Sequence, residues 1–88
     1  TYKEAKMKTC EFNVGENVIY DARMAGELVT AVSKFSSNVF IMAGNARVNA
    51  KSIIGVISLA LKPGDKVAVS AQGSDETQAA ETVEKLLG

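Results

Sequence analysis

Few side chains in this 88-residue sequence are suited to catalysis. It contains no histidine and a single cysteine, Cys10, so acid–base and nucleophilic mechanisms have few groups to use. The carboxylate pairs Asp75–Glu76 and Glu81–Glu84 fall on a predicted terminal helix, where charges usually form a solvated face. The glycines are scattered and form no phosphate-binding motif. We therefore predict a protein that is not an enzyme and that needs no cofactor or metal.

Two polar residues precede predicted helices and are the candidate functional positions. Asp21 and Ser52 are both good N-cap residues, because their side-chain oxygens accept hydrogen bonds from free backbone N–H groups. The same N–H groups and the helix dipole favour negative charge at these ends. From the residues alone, each position is interpreted either as a plain cap or as a place for an anionic group.

The composition indicates which class of partner and which cellular compartment to expect. Ten basic and ten acidic residues are interspersed, so no patch predicts binding to nucleic acid or to an anionic membrane. The dense apolar run 53–61 is shorter than the roughly 18 residues of a membrane span, and no secretory signal pattern is present. Cys10 has no disulfide partner and is interpreted as a buried core thiol. We expect a cytoplasmic protein whose partners are other proteins.

The first half of the chain alternates between strand and helix patterns. Alternation over 8–14 predicts a strand, and apolar residues at three- and four-residue steps after Asp21 predict a helix. Two short strands, 39–43 and 47–50, flank Gly44–Asn45, a pair suited to a hairpin turn. The buried stripe of the helix is predicted to comprise Ala22, Ala25, Leu28, Val29, Val32 and Phe35.

The second half predicts a short helix, a strand and a longer helix. A helix of about two turns follows Ser52, although glycine at position 55 weakens this prediction. A strand covers 67–71, and the last helix starts at Ser74 or Asp75 and runs to the chain end. Its predicted buried face is Ala79, Ala80, Val83, Leu86 and Leu87. The order βαββαβα predicts an α+β fold in one domain over 1–88, with a four-stranded, mainly antiparallel sheet and three helices on one face.

Three isoleucines of the short helix cannot all be buried. We expect at least Ile53 or Ile57 to pack in the core, and the remaining exposed apolar group, around Ile54, to be a docking surface for a partner.

Segment 48–59, VNAKSIIGVISL, resembles the regulatory-serine segment of the HPr family, the small phosphocarriers of the bacterial sugar phosphotransferase system. Segments 31–35 and 73–76 are similar to the end of that family's first helix and to the start of its last. The resemblance extends without gaps from about residue 8 to residue 87. It implies the HPr open-faced β-sandwich.

The resemblance places an aspartate where the family carries phosphate. The family's motif Gly-Ile-His-Ala-Arg-Pro-Ala corresponds to residues 19–25, so that Asp21 replaces the phosphohistidine, Arg23 keeps the accompanying arginine and Met24 replaces proline. We therefore expect no phosphotransfer through histidine. An acyl phosphate on Asp21 is the chemical alternative.

The resemblance also implies a regulatory role like that of the histidine-lacking Crh proteins. Ser52 would be the regulatory phosphorylation site, with a plain helix cap as the alternative. Tyr20 and Met24 would contact partners or merely pack locally, and the partner-binding group on the short helix would be Ile53, Ile54 and Ile57. The implied partners are HPr kinase/phosphorylase, a LacI-type catabolite repressor, and Enzyme I or sugar permease components. A diverged carrier with a non-histidine acceptor, or an HPr-fold interaction module outside sugar transport, remain as alternatives.

Overall fold

The computed structural model describes residues 8–88, and the element order βαββαβα is as predicted. Element bounds lie within a few residues of the expected ones, as is usual where helix and strand ends fray. The elements are β1 (Lys8–Asn13), α1 (Ala22–Ser33), β2 (Asn38–Ala43), β3 (Ala46–Asn49), α2 (Ile53–Ser58), β4 (Lys66–Gln72) and α3 (Glu76–Leu87).

The four strands form one sheet in the order β1-β4-β2-β3. Every pairing in this sheet is antiparallel, with Cys10 and Ile41 opposite Val69 on either side of β4. The β2–β3 hairpin turns through Gly44, whose φ of +60° lies in the left-handed region that glycine adopts at little cost. The predicted antiparallel α+β sheet is thus confirmed.

The core lies between one face of the sheet and the three helices. Alternate residues of the strands point inward because side chains on a strand alternate between faces, and full burial of a valine, leucine or isoleucine side chain stabilises the fold by about 1.5–3 kcal/mol. The fully buried core residues from the sheet include Val39, Ile41, Val67, Val69 and Ala71, and those from the helices Ala25, Leu28, Val32, Val56, Ala79, Ala80, Val83 and Leu87.

A side-chain network joins the end of α1 to the start of α3. The Asp75 carboxylate accepts hydrogen bonds from the backbone N–H groups of Ser36 and Ser37, both at 2.9 Å, and from the Ser37 hydroxyl. Ser37 is fully buried, so these bonds satisfy a hydroxyl that would otherwise be costly to bury. Although Asp75 occupies the N-cap position of α3, it makes no side-chain cap bond to that helix.

The core prediction for α2 is wrong. Ile53 and Ile57 are 44% and 43% exposed, and Val56 is the buried residue of this helix. With only six residues in α2, its rotation is set by where the flanking chain attaches, and Val56 alone faces the core.

Smaller predictions about burial also need correction. Ala22 is exposed, because it begins α1 beyond the region where that helix meets the core. Val29 and Phe35 at the α1 stripe and Leu86 at the flank of α3 are half-buried against the core. Cys10 packs against the core but is only half-buried, since β1 is an edge strand. Burial nevertheless raises the pKa of the Cys10 thiol.

Candidate functional site at the starts of helices α1 and α2

Asp21 caps helix α1. Its Oδ1 accepts a hydrogen bond from the backbone N–H of Met24 at 3.0 Å, and its backbone is extended, with φ −137° and ψ −171°. Its own carbonyl accepts the first helical bond from Ala25 at 2.9 Å. The predicted cap is confirmed, and one carboxylate oxygen is engaged with the helix backbone.

Arg23 is not paired with Asp21. The Arg23 side chain is 87% exposed, and its Nε lies 3.8 Å from Oε2 of Glu27, one turn further along α1. Such an exposed pair contributes at most about 1 kcal/mol, so Glu27 holds the guanidinium only weakly. Asp21 and Arg23 are therefore both exposed on the surface, and no ion pair joins them.

Tyr20 is tied into the fold through its hydroxyl. The half-buried phenol donates a hydrogen bond to the carbonyl oxygen of Val56, which lies 36 residues further along the chain in α2. The same carbonyl also accepts from the backbone N–H of Leu59 at 3.2 Å. Burial raises the pKa of Tyr20 to about 12, so the phenol keeps its proton at neutral pH. Its hydroxyl thus has a structural partner, and contact with another protein stays a prediction for Tyr20 and for its half-buried neighbour Met24.

Ser52 caps helix α2 and is exposed. Its Oγ accepts from the backbone N–H of Gly55 at 3.3 Å, and its carbonyl accepts from Val56 N–H at 2.9 Å. Glycine at position 55, which weakened the helix prediction, is explained by packing. A Cβ there would lie 3.2 Å from the Val48 Cβ and 3.4 Å from the Ser52 Oγ. The glycine allows α2 to approach β3.

Lys51 is a site residue that the sequence patterns did not reveal. Its Nζ donates to the carbonyl oxygen of Phe35 at 2.8 Å, just beyond the end of α1, where cations are favoured, and its backbone N–H donates to Asn49 Oδ1 at 2.8 Å. These two bonds hold the chain immediately before Ser52. The bond to Asn49 is local, whereas the bond to Phe35 joins segments 16 residues apart, so no local signal predicts it.

Exposed isoleucines lie near both helix starts. Ile54 is 79% exposed, and with Ile53 and Ile57 it forms what we call the α2 apolar surface. Ile19, two residues before Asp21, is 74% exposed. It was not among the predicted site residues, although an apolar residue next to a charged N-cap could have indicated a contact surface. Exposed apolar groups of this kind are typical of protein-binding surfaces.

Metal and membrane features are not found in the part of the chain that the structure describes. Within residues 8–88 no cluster of ligating side chains could hold a metal ion. Over the same residues, every helix is too short or too polar to cross a membrane.

Comparisons with known proteins agree with this geometry. Residues 8–88 match the family described as "PTS HPr component phosphorylation site". The chain is 38% identical over 81 residues to the phosphocarrier protein HPr of Lysinibacillus sphaericus, covering 92% of each chain. It is 45% identical over 60 residues to the HPr-like protein Crh of Bacillus subtilis, covering 68% of this chain and 71% of Crh.

Among solved structures, the phosphocarrier protein HPr of Bacillus anthracis superposes with a TM-score of 0.86 at 30% identity, covering 93% of this chain and 98% of that one. The phosphocarrier proteins of this family are carriers rather than catalysts. The order of elements, the sheet and these similarities together show that the chain belongs to the HPr/Crh family of the bacterial phosphotransferase system.

Proposed function

We propose that this protein is a Crh-like cytoplasmic regulator that binds partner proteins and does not pass phosphate through histidine. The observation that carries the proposal is Asp21. It stands where the family's phosphohistidine is expected, its carboxylate caps α1 through Met24 N–H, and the 88 residues contain no histidine. An imidazole is both a good nucleophile and a good leaving group for phosphate, whereas a carboxylate in this place lacks the geometry that the partner enzymes expect.

Incubation with Enzyme I and labelled phosphoenolpyruvate tests the absence of transfer. We expect no label on the protein, and we expect Asp21→His to gain label because it restores an imidazole beside Arg23. Label on the unaltered protein that is released by hydroxylamine would instead identify an acyl phosphate on Asp21, and would establish the alternative of a diverged carrier.

The second part of the proposal is that Ser52 is the regulatory phosphorylation site. The hydroxyl is exposed at the start of α2, and a phosphate there adds a charge of about −1.5 to −2. That charge would meet the Gly55 N–H, which already lies 3.3 Å from the Ser52 Oγ, and the positive end of the helix dipole. The backbone needs no rearrangement, so the modification would change mainly the electrostatics beside the α2 apolar surface.

Ser58 supplies a matched control for Ser52. It is an exposed serine in the same helix, and its hydroxyl donates to the Gly55 carbonyl at 2.6 Å. After treatment with an HPr kinase and ATP, intact-mass and peptide mapping should show one phosphate on the unaltered protein and on Ser58→Ala, and none on Ser52→Ala. Absence of phosphate, or phosphate at other residues, would contradict the regulatory proposal while leaving the cap intact.

The partners that we propose are HPr kinase/phosphorylase and a LacI-type repressor, docking on the α2 apolar surface. Its member Ile54 is 79% exposed within the described residues 8–88, so core packing among these residues does not explain an isoleucine there.

One feature favours the alternative of an interaction module outside sugar transport. Ile19 is 74% exposed at a position where the family motif has glycine, so the surface beside Asp21 differs from that of the carriers. The unaltered protein and Ile19→Gly would each be used to capture partners from the cytoplasm of the cell that makes the protein. A partner that binds the unaltered protein but not Ile19→Gly, and that is unrelated to sugar transport, supports the alternative.

A further inference from the structure

The face of the sheet that the helices leave uncovered carries opposite charges at its two edges. Strand pairing aligns one residue from each strand in a row across this face, because Glu11 lies opposite Ala68, which lies opposite Met42. Met42 in turn lies opposite Arg47. The row therefore begins with an acid on β1, ends with a base on β3 and has two apolar residues between them. A second row comprises Thr9, Ser70, Phe40 and Asn49.

The middle of this face is apolar and lies outside the core. Phe40, Met42 and Ala68 are partly exposed, and none of them belongs to the core cluster or to the side chains packed against it. The two large side chains, Phe40 and Met42, lie on β2, whereas the small ones, Ala68 and Ser70, lie on the neighbouring β4. The face thus has a ridge of large side chains beside a strip of small ones.

The charges at the two edges are only weakly held within the chain. The Arg47 guanidinium carbon lies 4.0 Å from the centroid of the Phe40 ring, and a stacked guanidinium still presents its N–H groups in its own plane. Neither of the ion pairs found within residues 8–88 includes Arg47. Glu11 lies 3.7 Å from the Lys66 Nζ, but both side chains are mostly exposed, so water competes for this pair.

We propose that this uncovered face is the interface of a symmetric homodimer, in which two copies of the chain pack sheet on sheet about a two-fold axis parallel to the strands and midway between β4 and β2. Such an axis places β4 of one copy on β2 of the other. Met42 then lies on Ala68 of the partner subunit, and Phe40 lies on Ser70 of the partner subunit. Large side chains therefore meet small ones, as interdigitation between sheets about 10 Å apart requires.

The same axis places β1 on β3 of the partner subunit and pairs the opposite charges. Glu11 faces Arg47 of the partner subunit, and the symmetry repeats this pair. A two-fold axis running across the strands through the same row would instead bring Glu11 onto Glu11 of the partner subunit, and Arg47 onto Arg47 of the partner subunit. Because like charges across an interface are unfavourable, the charge pattern selects the axis parallel to the strands.

The size of the face predicts a weak and reversible dimer. Four strands about 4.8 Å apart and about 20 Å long give a footprint of roughly 400 Å², whereas a stable interface buries about 800 Å² per partner. We therefore expect a dimer that dissociates on dilution, with a Kd above about 10 µM. The helices lie on the opposite side of the sheet, so both α2 apolar surfaces stay exposed in the dimer, and dimerisation does not depend on the proposed function.

Sedimentation velocity of the unaltered protein from about 10 µM to about 1 mM measures the association directly. We expect a reversible shift from monomer to dimer, and Arg47→Glu should raise the Kd at least about tenfold because both charge pairs become repulsive. Lys85→Glu is the matched control, since it makes the same charge change at an exposed position of α3 and should leave the Kd unaltered. Circular dichroism checks that each variant is folded.

A charge swap tests the pairing itself. Glu11→Arg should also weaken the dimer, whereas Glu11→Arg combined with Arg47→Glu exchanges the two charges and should restore the Kd to within about threefold of the parent value. A protein that stays monomeric at about 1 mM, as expected if residues 1–7 of the same chain covered the face, would overturn the proposal. A dimer unaffected by Arg47→Glu, as expected for pairing of edge strands, or a double variant that associates no better than the single ones, would overturn it as well. Since none of these measurements uses a kinase or a partner protein, a negative result would leave the proposed function standing.

Discussion

Removal of the Asp21 side chain is the most direct test of how the aspartate acts here. In Asp21→Ala the hydrogen bond from Met24 N–H to Oδ1, 3.0 Å long, is lost together with the charge at the positive end of a 12-residue helix. Loss of an N-cap costs about 0.5–2 kcal/mol, and the charge–dipole part of this is about 0.3–1 kcal/mol. Because Asp21 is exposed, water can replace part of the lost bond, and we expect a total near 1 kcal/mol.

Urea unfolding followed by circular dichroism gives the free energy of unfolding, and a decrease of that size should lower the melting temperature by about 4–8 °C in a domain of this length. The matched control is Asp21→Asn, which keeps an acceptor oxygen and removes the charge, so its stability should lie between those of the parent and of Asp21→Ala. Added salt should reduce the difference between Asp and Asn, because it screens the dipole interaction. An Asp21→Ala midpoint equal to that of the parent would refute the capping argument, and an Asn variant as unstable as the Ala variant would show that the hydrogen bond contributes nothing.

Three further outcomes are expected from the same structure. Gly73→Ala should lower the free energy of unfolding in urea by about 1–3 kcal/mol more than Gly44→Ala does. A Cβ at Gly73 would lie 2.7 Å from the Ser37 Cα, whereas a Cβ at Gly44 would have nothing within 4 Å. Equal losses in the two variants would contradict this. Hydrogen bonds, led by that of the Ser37 hydroxyl, lower the pKa of Asp75 from 3.8, so its contribution to stability is present above that pH and is lost as pH falls through the lowered value. Asp75→Asn should therefore flatten the acid side of the stability–pH curve, and an unchanged slope would count against it. Ile54→Ser should change stability by less than about 0.5 kcal/mol but weaken binding of the phosphorylated protein to a LacI-type repressor, as measured by calorimetry; unaltered binding would remove Ile54 from the docking surface.

The parts of the site that were predictable from the sequence are those made by neighbours in the chain. Asp21 and Ser52 were recognised as caps because an N-cap bond joins a side chain to a backbone group only three residues away. The strands were predictable for a similar reason, since the alternation of Val67, Val69 and Ala71 is a local pattern.

The parts that could not be predicted depend on contacts between distant segments. The bond from Tyr20 to Val56 and the bonds from Ser37 to Asp75 span 36 and 38 residues, and no periodicity encodes them. The prediction of which residues of α2 are buried was wrong for the same reason. A six-residue helix has too few positions for its apolar spacing to define a face, so packing around Val56 decided which side is buried.

The strand order has a consequence for how the chain assembles. Strand β4 lies between β1 and β2, yet it is the last strand to be synthesised. The β2–β3 hairpin can form early because its strands are close in sequence. By contrast, β1 pairs only with β4, so that Lys8 lies opposite Ala71 and Asn13 opposite Lys66. Such pairings between distant segments slow folding, because the loop must close before any contact compensates for the lost chain entropy. On the ribosome, β1 therefore lacks its strand partner until residues 66–72 have emerged, and its inward side, with Cys10 and Phe12, stays uncovered until helix α3, which packs on β1, has followed.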